Sequence, residues 1–253
     1  MLIKNFVVGP IETNCYLVAC EETLEAIIID PDIRTKEEKE KVFHEISQRN
    51  LHLKYIVDTH HHIDHTGGNA MLKQATGAEI LIHELDAPVL PEQWKWILKM
   101  SKVRQPPPCP MCGSDKTVMD ILEEQRQAII SCRDCSFKFE VIPSPPADLL
   151  LHGGDTIKAG QLEFIVIHTP GHSPGGMSLY IEKEKVVFTG DTLFKGSIGR
   201  TDTIDGSFED IIKSVKKLMQ LPEDTIVYPG HGEKTTIDRE KSENPYLQDK
   251  NKK

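Results

Sequence analysis

The segment Thr59-His60-His61-His62-Ile63-Asp64-His65-Thr66-Gly67-Gly68 packs four histidines and one aspartate into six residues. It follows the apolar run Tyr55-Ile56-Val57, so it begins at the end of an expected strand. Imidazole and carboxylate are ligands suited to zinc, iron or manganese. If the chain turns into a helix near Gly67-Gly68, His60 and His62 can face one point. Asp64 and His65 can then face a second point close by. The glycines are read as permitting a tight turn there. Neither point closes with these residues alone, and later segments offer the missing ligands. His172 lies in His168-Thr169-Pro170-Gly171-His172, Asp191 in Gly190-Asp191-Thr192, and His231 in Tyr228-Pro229-Gly230-His231-Gly232. Each follows an expected strand, where functional residues of layered α/β folds concentrate. Asp30 is read either as a carboxylate behind the ligands or as a turn residue. His61 and His168 are read as packing or supporting residues.

A second cluster is of another kind. Cys109-Pro110-Met111-Cys112 and Cys132-Arg133-Asp134-Cys135 are two C-x-x-C knuckles. Four thiolates leave no open coordination position, so one zinc (or iron) there would be structural. Cys15 and Cys20 are expected to be reduced strand or core residues.

The elements that position these residues alternate in type. Val7-Val8, Cys15 to Ala19, Ala26 to Ile29, Leu53 to Val57 and Glu79 to Ile82 read as strands. Thr35 to Arg49 and Gly68 to Ala75 read as helices, and Leu85 to Val103 as partly helical. Beyond the cysteines, Leu162 to His168, Met177 to Ile181, Val186 to Phe188 and Thr225 to Tyr228 read as strands. Phe208 to Met219 and residues 235 to 243 read as helices. This β-α alternation predicts an α/β layered fold. Pro106-Pro107-Pro108 and Pro143-Ser144-Pro145-Pro146 bracket the cysteines, as the borders of an insert would. The expected division is 1–104, an inserted module at 105–147, and 148–253. Trp94 and Trp96 are expected to pack between module and main fold, or to wall a pocket. Residues 248–253 are expected to fray.

The order His60, His62, Asp64, His65, His172, Asp191, His231 resembles the metallo-β-lactamase superfamily through both ends of the chain. The resemblance implies a four-layer αβ/βα sandwich with a binuclear site. His60, His62 and His172 would bind one metal, Asp64, His65 and His231 the other, and Asp191 would bridge both. Asp64 and Asp191 would be the carboxylates that serve catalysis. Two divalent cations, zinc first with iron or manganese as alternatives, would share a water and lower its pKa towards about 7. The bridging hydroxide would then attack a carbonyl or phosphorus.

Within the superfamily, the histidine run with Asn69 and Gly190-Asp191-Thr192-Leu193-Phe194 resembles the glyoxalase II hydrolases. Phe194 to Asp202 and Asn244-Pro245-Tyr246-Leu247-Gln248 resemble their short, single-domain forms, which hydrolyse thioesters such as S-lactoylglutathione. Residue 62 is His where the di-iron flavoprotein relatives have Glu. The long enzymes carry a further helical domain, whereas 22 residues follow His231 here. Arg200 matches a basic residue that contacts the thiol's carboxylate, while Asp202 replaces a tyrosine. An anionic thioester is the expected substrate. The alternatives are a persulfide dioxygenase with a single iron, or another hydrolase of the fold acting on lactams or phosphodiesters.

The cysteine module resembles a zinc ribbon or rubredoxin-like unit. Its role stays open between a pocket wall or lid and a partner or oligomer contact. A nucleic-acid role is the weaker reading, since residues 102–141 carry six cations, six anions, and only Phe137 and Phe139 as aromatics.

Composition agrees with this. The 253 residues are 38% hydrophobic and 27% charged, as in a globular protein of one large domain with room for an insert. A net charge of −9 argues against a broad nucleic-acid surface. No run approaches the roughly 18 apolar residues needed to span a bilayer, and the N-terminus lacks a signal-peptide pattern. The expected location is the cytoplasm.

Overall fold

Runs such as Ile27-Ile28-Ile29 are β-branched and apolar on both faces, so a sheet built from them needs cover on both sides. A computed structural model meets that demand with layers. It describes residues 1–103, 109, 111–122, 124, 127–141 and 143–248. Arg104, Pro106 to Pro108, Pro110, Glu123, Arg126 and the tail from 249 lie outside the described residues, as does the expected module border at 105.

The chain opens with strands β1 (Leu2–Val8), β2 (Thr13–Ala19) and β3 (Glu25–Ile29). Helix α1 (Lys36–Gln48) leads to β4 (His52–Val57). Thr35 caps α1, accepting from the Glu38 N–H while Glu38 accepts from the Thr35 N–H. Short α2 (Ile63–Thr66) and α3 (Asn69–Thr76) then lead to β5 (Glu79–His83). A 3-10 turn at Ala87–Glu92 precedes α4 (Gln93–Val103). Next come β6 (Thr117–Leu122), β7 (Gln127–Cys132) and β8 (Lys138–Val141), a three-stranded antiparallel sheet of its own. The chain returns through β9 (Leu149–Leu151), which pairs parallel with β5. The first sheet therefore has the order β1-β2-β3-β4-β5-β9, and the cysteine module interrupts it between its last two strands.

The second half contains β10 (Thr156–Ala159), β11 (Leu162–His168), β12 (Met177–Ile181) and β13 (Val186–Gly190). A small hairpin, β14 (Leu193–Phe194) with β15 (Ser197–Ile198), follows. Then come α5 (Phe208–Leu218), β16 (Ile226–Pro229), β17 (Thr235–Thr236) and α6 (Ile237–Glu243). The second sheet has the order β10-β11-β12-β13-β16-β17.

Side-chain alternation assigns the faces. In β2, Tyr16 and Val18 join Phe164, Leu179 and Phe188 in a core between the sheets. Cys15, Leu17 and Ala19 point the other way, into a core with Val42 and Ile46 of α1 and Leu72 of α3. On the far side, Val187 and Val227 pack with Ile211, Val215 and Leu218 of α5. The result is helix, sheet, sheet, helix, which is the expected four-layer α/β sandwich. A fourth core joins Trp94 and Ile97 of α4 to Ala128, Phe137, Phe139 and Val141 of the module. No helix among the described residues is long and apolar enough to cross a membrane.

Two local expectations change. The helix expected from Gly68 is preceded by α2, so the chain is helical from Ile63, with His62 as its N-cap. Residues 235–243 begin as β17 before α6, because Thr235 pairs with Val227.

Candidate metal centre

The parallel and antiparallel registers bring four strand ends to one edge. His168 at the end of β11 pairs with Met177, and Gly190 of β13 pairs with Pro229 of β16. The loops after β4, β11, β13 and β16 therefore open side by side, with Thr13 bridged to His231 from the other sheet. Backbone bonds lock the junction: the Asn14 N–H donates to Gly230 at 2.7 Å, and the Gly230 N–H to Gly190 at 2.8 Å.

Three groups of ligand atoms converge there, each within 4.8 Å of one another: His60, His62 and His172; Asp64, His65 and His231; and His60, His65 and Asp191. The Asp191 carboxylate lies between the first two groups. Its Oδ1 is 3.5 Å from His65 Nε2, and its Oδ2 is 3.4 Å from His172 Nε2 and 3.7 Å from His231 Nε2. Asp64 Oδ2 is 3.4 Å from His231 Nε2. All seven expected ligand residues are thus brought together.

The Nδ1 atoms of His60, His172 and His231 are hydrogen-bonded. His172 Nδ1 donates to the Arg200 carbonyl at 2.8 Å, and His231 Nδ1 to the Ile11 carbonyl at 3.1 Å. His60 Nδ1 donates to Thr59 Oγ1 at 3.1 Å, which donates in turn to Asp30 Oδ2 at 2.8 Å. His65 Nδ1 lies 3.1 Å from the same oxygen. One buried carboxylate, Asp30, therefore stands behind a candidate ligand of each group, as the supporting reading expects, and its φ of 52° also makes it a turn residue. These bonds turn the Nε2 lone pairs of His60, His172 and His231 towards the centre. There the buried Nε2 atoms of His60, His65 and His172, and Asp191 Oδ1, have no hydrogen-bond partner in the protein. Buried polar atoms without partners are costly, and a divalent cation in each group would satisfy them.

The field of the site agrees. Burial holds His60 and His62 well below the usual histidine range, which keeps them neutral as metal binding would require. At His65 and His231 burial acts the same way, but Asp191 and Asp64 outweigh it and push both up. Asp64 and Asp191 are buried, which would raise them, yet His65 and His231 hold both below the carboxylate range. The pocket between these carboxylates favours positive charge.

Gly67, Gly68 and Gly230 serve here by space rather than by turning. Gly67 and Gly68 have ordinary helical φ of −60° and −91°, so the expected tight turn is not their role. A Cβ on Gly67 would sit 2.3 Å from Asp32 Oδ1, and one on Gly68 2.4 Å from the Pro31 carbonyl. A Cβ on Gly230 would sit 2.3 Å from Asp191 Oδ1. The Asp32 carboxylate beneath Gly67 is paired with Arg34 Nε at 2.6 Å. Arg34 also donates to the carbonyls of Ile63 at 2.6 Å and Glu140 at 2.9 Å, and lies 3.8 Å from the Phe139 ring centroid. It ties the histidine loop to the cysteine module.

Several contributors carry no sequence signal. Asp86 accepts from the His61 N–H, Ser173 Oγ and the Gly175 N–H, joining the first histidine loop to the loop of His172. Asp205 accepts from Trp96 Nε1 at 2.9 Å and lies 2.8 Å from His61 Nε2. His61 is thus a supporting residue, and Trp96 stands at 4.8 Å from His62, ring to ring. Trp94 lies in the shared core with the module, while Trp96 lines the cavity. His168 stacks on His83 at 4.1 Å, away from the ligands. Arg200 lines the cavity with its Nε 2.7 Å from Asp202.

The four cysteine sulfurs also converge, with Cys109–Cys135 at 3.6 Å and Cys112–Cys132 at 3.7 Å. A tetrahedron with zinc–sulfur bonds of about 2.3 Å has edges of about 3.8 Å, so the set fits one zinc. The backbone N–H of Asp134 donates to Cys132 Sγ and pulls that thiol down to about 7.

The pattern of the Metallo-beta-lactamase superfamily matches residues 8–231. The chain belongs to this superfamily. Members bind divalent metals and are mostly metal-dependent hydrolases, and the three convergent groups at the strand ends lie within the matched span. The chain is 34% identical over 251 residues to "Hydroxyacylglutathione hydrolase GloC" of Haemophilus influenzae, covering 99% of this chain and all of that one. Among solved structures, it is similar to "BLEG-1 B3 metallo-beta-lactamase" with 30% identity, TM-score 0.72, and 98% and 100% of the two chains covered. It is also similar to "TTHA1623 in a di-iron-bound form", with 29% identity, TM-score 0.71, and 96% and 100% covered.

Proposed function

We propose that this protein is a binuclear metal-dependent hydrolase acting on a small anionic thioester, S-lactoylglutathione or a related acyl-thiol. The observation that carries the reading is Asp191, whose Oδ2 lies 3.4 Å from His172 of one group and 3.7 Å from His231 of the other, with Oδ1 3.5 Å from His65. In this reading His60, His62 and His172 hold one cation and Asp64, His65 and His231 the other. Asp191 is shared, and Asp64 and Asp191 are the catalytic carboxylates. Zinc is the proposed metal, and the same nitrogen and oxygen donors accept iron or manganese. Two such cations would supply Lewis acidity towards a carbonyl oxygen and a water acidified towards about pH 7.

The chain's own residues do the rest. Asp30 fixes His60 through Thr59, and its Oδ2 lies 3.1 Å from His65 Nδ1. The Arg200 carbonyl fixes His172, and the Arg200 guanidinium at the cavity wall meets the substrate's negative charge. Hydrolysis forms an acyl C–O bond from water and breaks the C–S bond, giving a carboxylate and a thiol. No serine or cysteine nucleophile is required. In the cysteine module, Cys109, Cys112, Cys132 and Cys135 hold one zinc, or iron, in a structural role. The module is the proposed insert at 105–147, between the two halves of the sandwich. The relative named as a hydroxyacylglutathione hydrolase supports the substrate class. The test is release of free thiol from S-lactoylglutathione by the zinc- or iron-loaded protein, with Asp191→Ala beside it. Rapid release that the variant loses is expected. No release from S-lactoylglutathione or any other acyl-thiol, with metals bound, overturns the proposal.

A further inference from the structure

The cavity over the metal centre has a volume of about 500 Å³, within the usual range for small-molecule sites. Beyond the metal-site residues its lining is predominantly apolar. Helix α4 contributes Trp96, Ile97 and Met100, and the cysteine module contributes Met119 and Ile130. Met119 and Ile130 are direct partners across β6 and β7, so their side chains stand together on one face of that sheet. The same face carries Ala128, Phe139 and Val141 and packs on Trp94 and Ile97. Module and helix thus share one core, and that core's margin forms a wall of the cavity. Arg34, bonded to Ile63 and Glu140, holds the wall against the histidine loop.

The charges point the same way. Outside the proposed ligands, Arg200 is the one ionisable residue among the described lining residues, and its Nε already lies 2.7 Å from Asp202. Arg200 offers a single counter-charge for an anionic thioester, and the rest of the wall is left for apolar contact. An apolar chain needs only contact area and loses water on entering.

We propose that the preferred substrate carries an extended apolar group, seated between α4 and the cysteine module, with Met119 and Ile130 setting the preference. This rests on the thioester-hydrolase reading above and deepens it. The apolar group can lie on the acyl side or the thiol side of the thioester, and two substrate series separate these. One varies the acyl chain from acetyl to hexanoyl on N-acetylcysteamine. The other varies the S-alkyl chain from ethyl to hexyl on acetyl thioesters. Along at least one series kcat/KM should rise about fourfold per methylene until the cavity is full. The hexanoyl-to-acetyl or hexyl-to-ethyl ratio should exceed tenfold.

Met119→Gln with Ile130→Thr should reduce that ratio to a few-fold, with the fold checked by thermal melting and by metal content. Binding gives a readout without turnover. The non-hydrolysable thioether S-hexyl-N-acetylcysteamine should bind the wild-type protein more than tenfold tighter than the S-ethyl form, read by tryptophan fluorescence. Thiol release without chain-length dependence in either series, and no preference between the thioethers, overturns this inference while the hydrolase stands. No thiol release from any thioester, with the hexyl preference intact, overturns the hydrolase reading while the apolar site stands.

Discussion

Replacing Arg34 with methionine tests how the cysteine module and the histidine loop are held together. The guanidinium pairs with Asp32 at 2.6 Å, donates to the carbonyls of Ile63 and Glu140, and lies over the Phe139 ring. Methionine keeps much of the stem's volume and removes the charge. The Asp32 side chain has 0% exposure, so it becomes a buried carboxylate without a counter-charge. Breaking a buried pair in this way costs about 3–5 kcal/mol. For a chain of this length that lowers Tm by about 6–20 °C. The pH dependence has a definite sign. Burial raises Asp32 from 3.8 to about 6, with Arg34 opposing the rise. An acid with a raised folded pKa favours the fold at low pH, and that contribution is lost as pH climbs through the folded pKa. Without Arg34 the carboxyl shifts higher still. The penalty must therefore be largest above about pH 6 and shrink as Asp32 takes up its proton. Thermal melts near pH 7.5 and pH 5 measure this, with the pair Asp32→Asn/Arg34→Met alongside, which should regain at least half of the loss. A Tm within about 2 °C of wild type near pH 7.5, or a loss equally large near pH 5, would refute the reasoning.

Three further outcomes are expected. Asp30→Asn should weaken metal binding about 10–100-fold, because one carboxylate orients His60 and His65 together. Competition with a chromophoric chelator measures it, and unchanged affinity at both positions would show that Asp30 is only a turn residue. Cys132→Ser should lose one metal equivalent by elemental analysis and make the module sensitive to protease, while the histidine centre keeps its metals. Equal metal content in variant and wild type would remove the structural site. Gly67→Ala should cost about 1–3 kcal/mol by chemical denaturation, since its Cβ would overlap Asp32 and Arg34. A neutral result would mean that the Asp32–Arg34 pair is not packed beneath the histidine loop.

The convergence of the seven candidate ligands was legible because each follows an apolar run that ends abruptly in glycine or polar residues. Strand ends place such residues at one edge of a layered fold whatever the loops do between them. Alternation was also legible: Tyr16 and Val18 face one core, Cys15 and Leu17 the other. The supporting aspartates were not. Asp86 reaches Ser173 across 87 positions, and Asp205 reaches His61 across 144. A single aspartate in a turn looks the same whether or not such a partner exists. The glycines misled for a related reason. Gly67 and Gly68 resemble turn residues in sequence, and only the neighbours Asp32, Arg34 and Pro31 reveal that space is what they provide. Strands of two to four residues, such as β9, β14 and β15, are too short for periodicity to register. The role of Met119 and Ile130 needed the pairing of β6 with β7 and their contact with α4. None of that is encoded in the C-x-x-C spacing that marked the module.

Anomalous diffraction from crystals grown with metal tests the central claim most directly. The account predicts two peaks at the strand ends, one among His60, His62 and His172 and one among Asp64, His65 and His231, with Asp191 reaching both. A third peak should lie within the four cysteine sulfurs. A single peak at the strand ends with Asp191 bound to it through one oxygen, or none at all, would contradict a binuclear hydrolase.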